Sequence, residues 1–440
     1  MKGKRYAFSR FNLFTSAIVF AIALAVSAFT PFFQGPGLNN PEPIGAYLNG
    51  ILPVEAPSNG QNVTYDIEEA FPNLTFIDPV KLVEAPGNQF MVVGKQGKIW
   101  LFNNDEATIS KVKILDISNQ VVVGADGGML GMALHPEFGM SGSPNRGYLY
   151  VWYRYAPQLG VHGRTGYMRL SRFTLEDGAT LIDPASELPM IQQFDRHDWH
   201  NGGDMFFGPD GFLYVSVGDE GGAHDQINTK QRIDMWIFGG VLRIDVDKQG
   251  GSISHPIRRQ PQNQSTPPSG WPSSFTQEYY IPNDNPWLDA NGGILEEFYA
   301  IGLRSPHRMT YDPVEDEIWV GDVGQGSREE ISIVSRGDNM QWPYREGDIN
   351  GPKAKPNPLI GVDNPPIFPY PRSFGRCVIG GYVYRGSKFP ELAGKYFFGD
   401  HEVQNVWTLT KDENGGAPDV QYLLTVPTFG SGSKDGIASF

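Results

Sequence analysis

The stretch Gly211-Phe212-Leu213-Tyr214-Val215-Ser216-Val217-Gly218-Asp219 decides the reading of this chain. It follows the turn Gly208-Pro209-Asp210, runs through apolar, β-branched and aromatic residues, and stops on Gly-Asp. That is the composition of a short strand held between two turns. The unit returns as Gln89-Phe90-Met91-Val92-Val93-Gly94 and Gly147-Tyr148-Leu149-Tyr150-Val151-Trp152. Two more copies are Glu317-Ile318-Trp319-Val320-Gly321-Asp322 and Gly394-Lys395-Tyr396-Phe397-Phe398-Gly399-Asp400. A second strand follows each, as in Val241-Leu242-Arg243-Ile244-Asp245-Val246 and Val406-Trp407-Thr408-Leu409.

The copies recur at uneven intervals of roughly 60 to 110 residues, which is the signature of propeller blades with insertions in their loops. The Pro/Ser/Gln-rich segment from about 250 to 277 reads as one such insertion. A two-sheet sandwich would explain the strands but not the repeated turn–strand–Gly-Asp unit. The expected fold is all-β, a six-bladed β-propeller, with five units legible and the sixth built by joining the two ends. The C-terminal Asp435-Gly436-Ile437-Ala438-Ser439-Phe440 reads as the opening strand of a blade, so the last blade is expected to be incomplete there.

Composition agrees. Among 440 residues, 53 are Gly and 35 are Pro, 12% are aromatic and only 19% are charged. This describes many short strands and tight turns, not a disordered chain. A net charge of −14 disfavours nucleic acid and anionic membrane surfaces as partners. The single cysteine, Cys377, excludes an internal disulfide and reads as a small buried hydrophobe. Residues 1–28 read as an export signal: Lys2, Lys4, Arg5 and Arg10 precede an apolar stretch, with Val26 and Ala28 before the cleavage point. Residues 29–72 read as a linker or N-terminal arm and 73–440 as the propeller. The implied location is secreted or periplasmic, without a stable membrane span once the signal is removed. Sequons stand at Asn62, Asn73 and Asn263.

Three clusters could carry chemistry. In Asp195-Arg196-His197-Asp198-Trp199-His200-Asn201-Gly202-Gly203, a loop histidine suits a general base, while the His197/His200 spacing leaves a transition metal open. Ile301-Gly302-Leu303-Arg304-Ser305-Pro306-His307-Arg308 places two guanidinium groups around a turn, fit for an anionic or quinone-oxygen partner or for bracing loop carbonyls. Gly321-Asp322-Val323-Gly324-Gln325-Gly326-Ser327-Arg328-Glu329-Glu330 combines convergent carbonyls with carboxylates, as a Ca²⁺ loop does and as a tight turn before an acidic pair also does.

Taken together with Gly128-Met129-Leu130-Gly131-Met132-Ala133-Leu134-His135-Pro136, Ile281-Pro282-Asn283-Asp284-Asn285-Pro286 and Asn339-Met340-Gln341-Trp342-Pro343, the chain from about Phe76 onward resembles the soluble quinoprotein glucose/sorbosone dehydrogenases. That family includes the hedgehog-interacting-protein-like propellers. The resemblance implies pyrroloquinoline quinone (PQQ) and Ca²⁺ as cofactors and oxidation of a sugar's C1 hydroxyl. It implies His200 as the base, Asp219 as the carboxylate that holds it, and Arg304 as the stabiliser of a developing oxyanion. Arg304, Ser305, His307, Asp126, Gly324 and Gln325 fall at cofactor-binding positions. Gly324 and Gln325 would bind Ca²⁺ through their backbone carbonyls.

Departures from the family pattern accompany these matches. Ser305 and His307 replace an Asn and a Gln, Asp126 replaces a Gln, and Glu402 aligns where a Lys would hold the cofactor. Two arginines near the end are missing, with only Lys434 close by. A cofactor with three carboxylates would bind less well for the loss. Because His200, Arg304 and the Gly324 loop are all present, the primary expectation is a dehydrogenase that passes electrons to an external acceptor such as a cytochrome or a quinone. The alternatives are a non-catalytic Ca²⁺-binding propeller that binds carbohydrate or protein, and a Ca²⁺-dependent lactonase-type hydrolase.

Overall fold

The computed structural model describes residues 65–225, 231–412, 414–427 and 436–440. The expected export signal, most of the arm (including Asn62) and Lys434 lie outside the described residues. Those described are almost entirely strand, turn and loop, with three one-turn 3-10 helices, so the chain is an all-β propeller. None of the described helices is long and apolar enough to cross a membrane.

Five sheets contain at least four strands, and they follow one another along the chain. Blade 1 runs Pro79–Ala85, Gln89–Gly94, Lys98–Asn103 and Val112–Asp116, and blade 2 runs Met129–Leu134, Tyr148–Tyr155, Gly166–Thr174 and Leu188–Asp195. Blade 3 is built on Met205–Phe207, Leu213–Val217, Gly240–Ile244 and Phe298–Ile301. Blade 4 uses Pro306–Asp312, Glu317–Asp322, Arg328–Val334 and Phe368–Pro371, and blade 5 uses Val378–Val383, Tyr396–Asp400, Asn405–Thr410 and Asp419–Thr425. Every copy of the repeated sequence unit forms the second strand of a blade. Six blades are not seen among the described residues. The segment 436–440 forms no ladder, although Ile437 and Phe440 pack on blade 5.

Blades 2, 3 and 4 present two apolar faces, because each packs between two neighbours. Blades 1 and 2 share Met91, Ile99, Met132, Val151 and Phe173. Blades 2 and 3 share Trp152, Met168, Ile191, Val215 and Leu242, blades 3 and 4 share Val241, Ala300, Met309 and Val320, and blades 4 and 5 share Trp319, Ile331, Tyr396 and Phe398. Hence Leu213–Val217 is buried at all five positions and reads as a continuous apolar run without alternation.

Polar groups tie the first strands of the blades together. From blade 4, Arg308 donates to the carbonyls of Val80 in blade 1, Leu130 in blade 2 (3.3 Å) and Ala438 (3.0 Å). Lys81 in blade 1 pairs with Asp204 at the entry to blade 3, and Asp204 accepts the Met309 N–H of blade 4 at 3.1 Å. The arm is docked where it is described: Tyr65 donates to Glu391 at 2.8 Å, and Phe71 packs edge-on to Phe102. The insertion read as a loop contributes strand as well, since Phe275–Thr276 adds to the outer edge of blade 2 by pairing with its last strand. Cys377, read as a small buried hydrophobe, is half-buried by its exposed surface, with its thiol turned into the interior. Burial and the nearby Glu329, Asp400, Asp126 and Glu402 push its thiol well up.

Candidate functional site

The loop 195–203 enters blade 3 and is held from blade 2. Buried Arg154 donates to Asp195 Oδ2 at 3.0 Å and Asn201 Oδ1 at 3.2 Å, and Trp152 Nε1 donates to the Asn201 carbonyl at 3.1 Å. Within this brace His200 adopts a left-handed backbone with φ 55°, a conformation that costs a non-glycine residue about 1 kcal/mol or more. Gly218 makes the turn possible, because a Cβ there would lie 1.7 Å from the His200 carbonyl oxygen.

The two backbone approaches place His200 against Asp219. Its Nδ1 lies 2.6 Å from Asp219 Oδ1, and Asp219 is fully buried. Asp219 also accepts Gly221 N–H at 2.8 Å and Trp342 Nε1–H at 2.7 Å. A carboxylate in this position only accepts, so Nδ1 carries a proton, and in the neutral ring the lone pair falls on Nε2. Asp126 accepts the His200 N–H at 2.9 Å and thereby fixes the backbone rather than the ring.

Arg304 stands beside this pair. Its carbonyl accepts the Asp219 N–H at 2.9 Å, and its guanidinium lies 5.5 Å from the Trp342 ring. Nη1 donates to the Val323 carbonyl at 2.7 Å, and Nη2 lies 3.5 Å from Gln325 Oε1. Nε is buried without a hydrogen-bond partner, as is Asn201 Nδ2. Asp322 holds the turn by accepting the N–H groups of Arg304 at 2.8 Å and Ser305 at 2.5 Å. Burial and the neighbouring Asp219 raise the pKa of Asp322. His307 is half-buried at the start of blade 4, and its imidazole is pushed well below its ordinary value by burial and then by Arg308.

The structure brings His200, Asp219, Asp126, Arg304 and Gln325 into one connected network. Ser305 joins through its backbone N–H. Glu402 is anchored by its own N–H to Asp400 Oδ1 at 2.9 Å and, like Asp126, lies within electrostatic reach of Cys377. The sequence reading assigned no role to Trp342, Lys95 or Arg372. Trp342 lies in a motif that it quoted, but the partner is 123 positions away. Lys95, from blade 1, donates to the Ala125 carbonyl at 2.8 Å and reaches His307 electrostatically, so a lysine does stand near Asp126. No local signal marks Lys95 or Arg372.

Pyrroloquinoline quinone presents carbonyl and carboxylate acceptors, and the buried unpartnered donors of Arg304 and Asn201 fit such a group. Calcium fits less well. The Gly324 carbonyl already accepts Arg372 Nη2 at 2.8 Å, and the Val323 carbonyl before it is taken by Arg304. On the other side of this turn, Glu346 Oε1 accepts the N–H groups of Gly326, Ser327 and Arg328 at 2.6, 2.7 and 3.2 Å, which lowers its pKa against the effect of burial. Among the described residues no group of three or more His, Cys, Asp or Glu side chains could hold a metal ion, and His200 Nδ1 is engaged by Asp219.

Comparison with known proteins places the fold and the family. The Arabidopsis thaliana HIPL2 protein is 26% identical over 369 residues, covering 73% of this chain and 50% of that protein. The HIPL1 protein of the same plant is 32% identical over 222 residues, covering 47% of this chain and 29% of the relative, so the chain matches half or less of the length of either. Aldose sugar dehydrogenase YliI of Escherichia coli is 26% identical, with 62% of each chain covered. The PQQ-bound form of aldose sugar dehydrogenase from Streptomyces coelicolor superposes with a TM-score of 0.55 at 18% identity, covering 84% of this chain and 87% of that one, a likeness of fold. The profile for glucose/sorbosone dehydrogenases matches residues 76–265 and 251–426. With that match spanning most of the propeller, the chain belongs to the glucose/sorbosone dehydrogenase family.

Proposed function

We propose that this chain is an exported PQQ-dependent dehydrogenase that oxidises the C1 hydroxyl of an aldose or related sugar. The observation that carries the proposal is the buried Asp219–His200 pair at 2.6 Å, set beside an arginine with an unpartnered Nε. A histidine oriented only for structure does not need a fully buried carboxylate on Nδ1 together with a strained backbone. The aldose sugar dehydrogenase among its relatives supports the same reading.

The chain's own residues divide the work. Nε2 of His200 takes the proton from the C1 hydroxyl, and Asp219 stabilises the imidazolium that results. Trp342 donates to the other oxygen of Asp219 and Gly221 to the same one as His200, and these bonds stop the carboxylate from turning away. Arg304, with Asn201, would hold the cofactor's oxygens, and Arg304 Nε would face the growing negative charge. The bound quinone supplies the carbon that accepts the hydride. Electrons then leave to an acceptor outside the chain.

The test is calorimetric titration of the apo-protein with PQQ, followed by dye reduction with a panel of aldoses. Submicromolar binding with turnover supports the proposal. A folded protein that binds no PQQ refutes it and favours the second reading, a non-catalytic propeller that binds carbohydrate or protein. That reading draws on the carboxylates Asp126 and Glu402 near the site and on the hedgehog-interacting protein of mouse, 26% identical over 337 residues.

A further inference from the structure

We infer that the Arg372 guanidinium takes the place of a metal ion at the Gly324 loop, so that this loop is held by an internal cation and binds no Ca²⁺. Arg372 lies just beyond the last strand of blade 4 and reaches back over that blade. Its Nη2 donates to the Gly324 carbonyl at 2.8 Å, its Nη1 lies 2.5 Å from Glu329 Oε1, and Nη1 also donates to the Arg376 carbonyl. Two backbone carbonyls and one carboxylate are the oxygen set that a hard cation would gather. Here they surround a planar group with fixed donor directions. The Glu329 side chain is fully buried, and its second oxygen, Oε2, accepts the Val378 N–H of blade 5 at 2.9 Å.

The second cation is Arg304, which takes the Val323 carbonyl one residue earlier. Consecutive carbonyls of the loop are therefore spent on two guanidinium groups, while its following N–H groups are spent on Glu346. A divalent ion at Gly324 would have to share that carbonyl with Arg372 and stand beside its charge, which like-charge repulsion opposes. Arg372 thus acts as a positioning residue: it fixes the loop from which Gln325 and Val323 meet Arg304.

The test uses the full chain with metal alone, so it needs neither quinone nor sugar and stands apart from the dehydrogenase reading. Chelator-treated wild type, Arg372→Met, Arg372→Lys and Glu329→Gln are melted with and without millimolar CaCl₂ and titrated calorimetrically with Ca²⁺. Arg372→Met is expected to gain a Ca²⁺-dependent rise in Tm of several degrees that wild type and Arg372→Lys lack. The inference is overturned if wild type already shows a Ca²⁺ response that Glu329→Gln abolishes. It is also overturned if folded Arg372→Met responds no more than wild type. Should Arg372→Met fail to fold, the wild-type and Glu329→Gln pair still decides: a response in wild type lost in Glu329→Gln refutes the inference, and the lack of such a difference upholds it.

Discussion

His200 and Asp219 lie at the same end of blade 3, one entering its first strand and the other leaving its second, with Nδ1 and Oδ1 2.6 Å apart. The pairing of Met205 with Val215 brings these two loops side by side, so the register of the blade sets the register of the site.

If His200 is the base, His200→Asn should lower kcat by about 10² to 10⁴-fold. PQQ affinity and Tm should stay close to those of wild type. Turnover at the wild-type rate in this variant would remove His200 from the mechanism.

Asp219→Asn keeps the shape but removes the charge that favours imidazolium. The expected result is a fall in kcat of about 100-fold or more with PQQ affinity little changed. Turnover at the wild-type rate would show that Asp219 does not hold His200 for its task.

Glu297 is fully buried, and burial raises its carboxyl from 4.5 to about 7, with Tyr279 donating to it at 2.8 Å. The folded state therefore holds the proton more tightly than the unfolded chain. That contribution is fully present below about pH 4.5, declines as pH rises, and is lost above about pH 7. Glu297→Gln should then be less sensitive to pH in this window and gain about 2–3 kcal/mol on wild type between pH 5 and pH 8. Parallel Tm–pH curves for the two proteins would count against the shift.

Arg308 donates to three blades or segments that are far apart in sequence. Arg308→Met should cost about 3 kcal/mol or more, because several buried carbonyls lose their donor at once. Denaturant unfolding measures it. A change below about 1 kcal/mol would mean that blade packing alone holds the ring together.

Much of this molecule is set by local chemistry. Turn residues and strand propensity along each short segment mark the second strand of every blade, and the Arg304 turn and His200 loop carry their own composition. Alternation fails as a guide where both faces of a blade are covered, as in Leu213–Val217. Contacts between residues far apart in the chain are of another kind. Trp342 reaches Asp219, Lys95 reaches Ala125, and Arg372 reaches Gly324 across spans of 123, 30 and 48 residues. Nothing in the flanking residues encodes such a meeting, because it depends on how whole blades twist and pack. The sequence by itself determined the repeated β unit and, through the family resemblance, pointed to His200, Asp219 and Arg304 as the residues to look for. Only the tertiary structure decided which cation the Gly324 carbonyl receives, because that choice depends on how Arg372 folds back over blade 4.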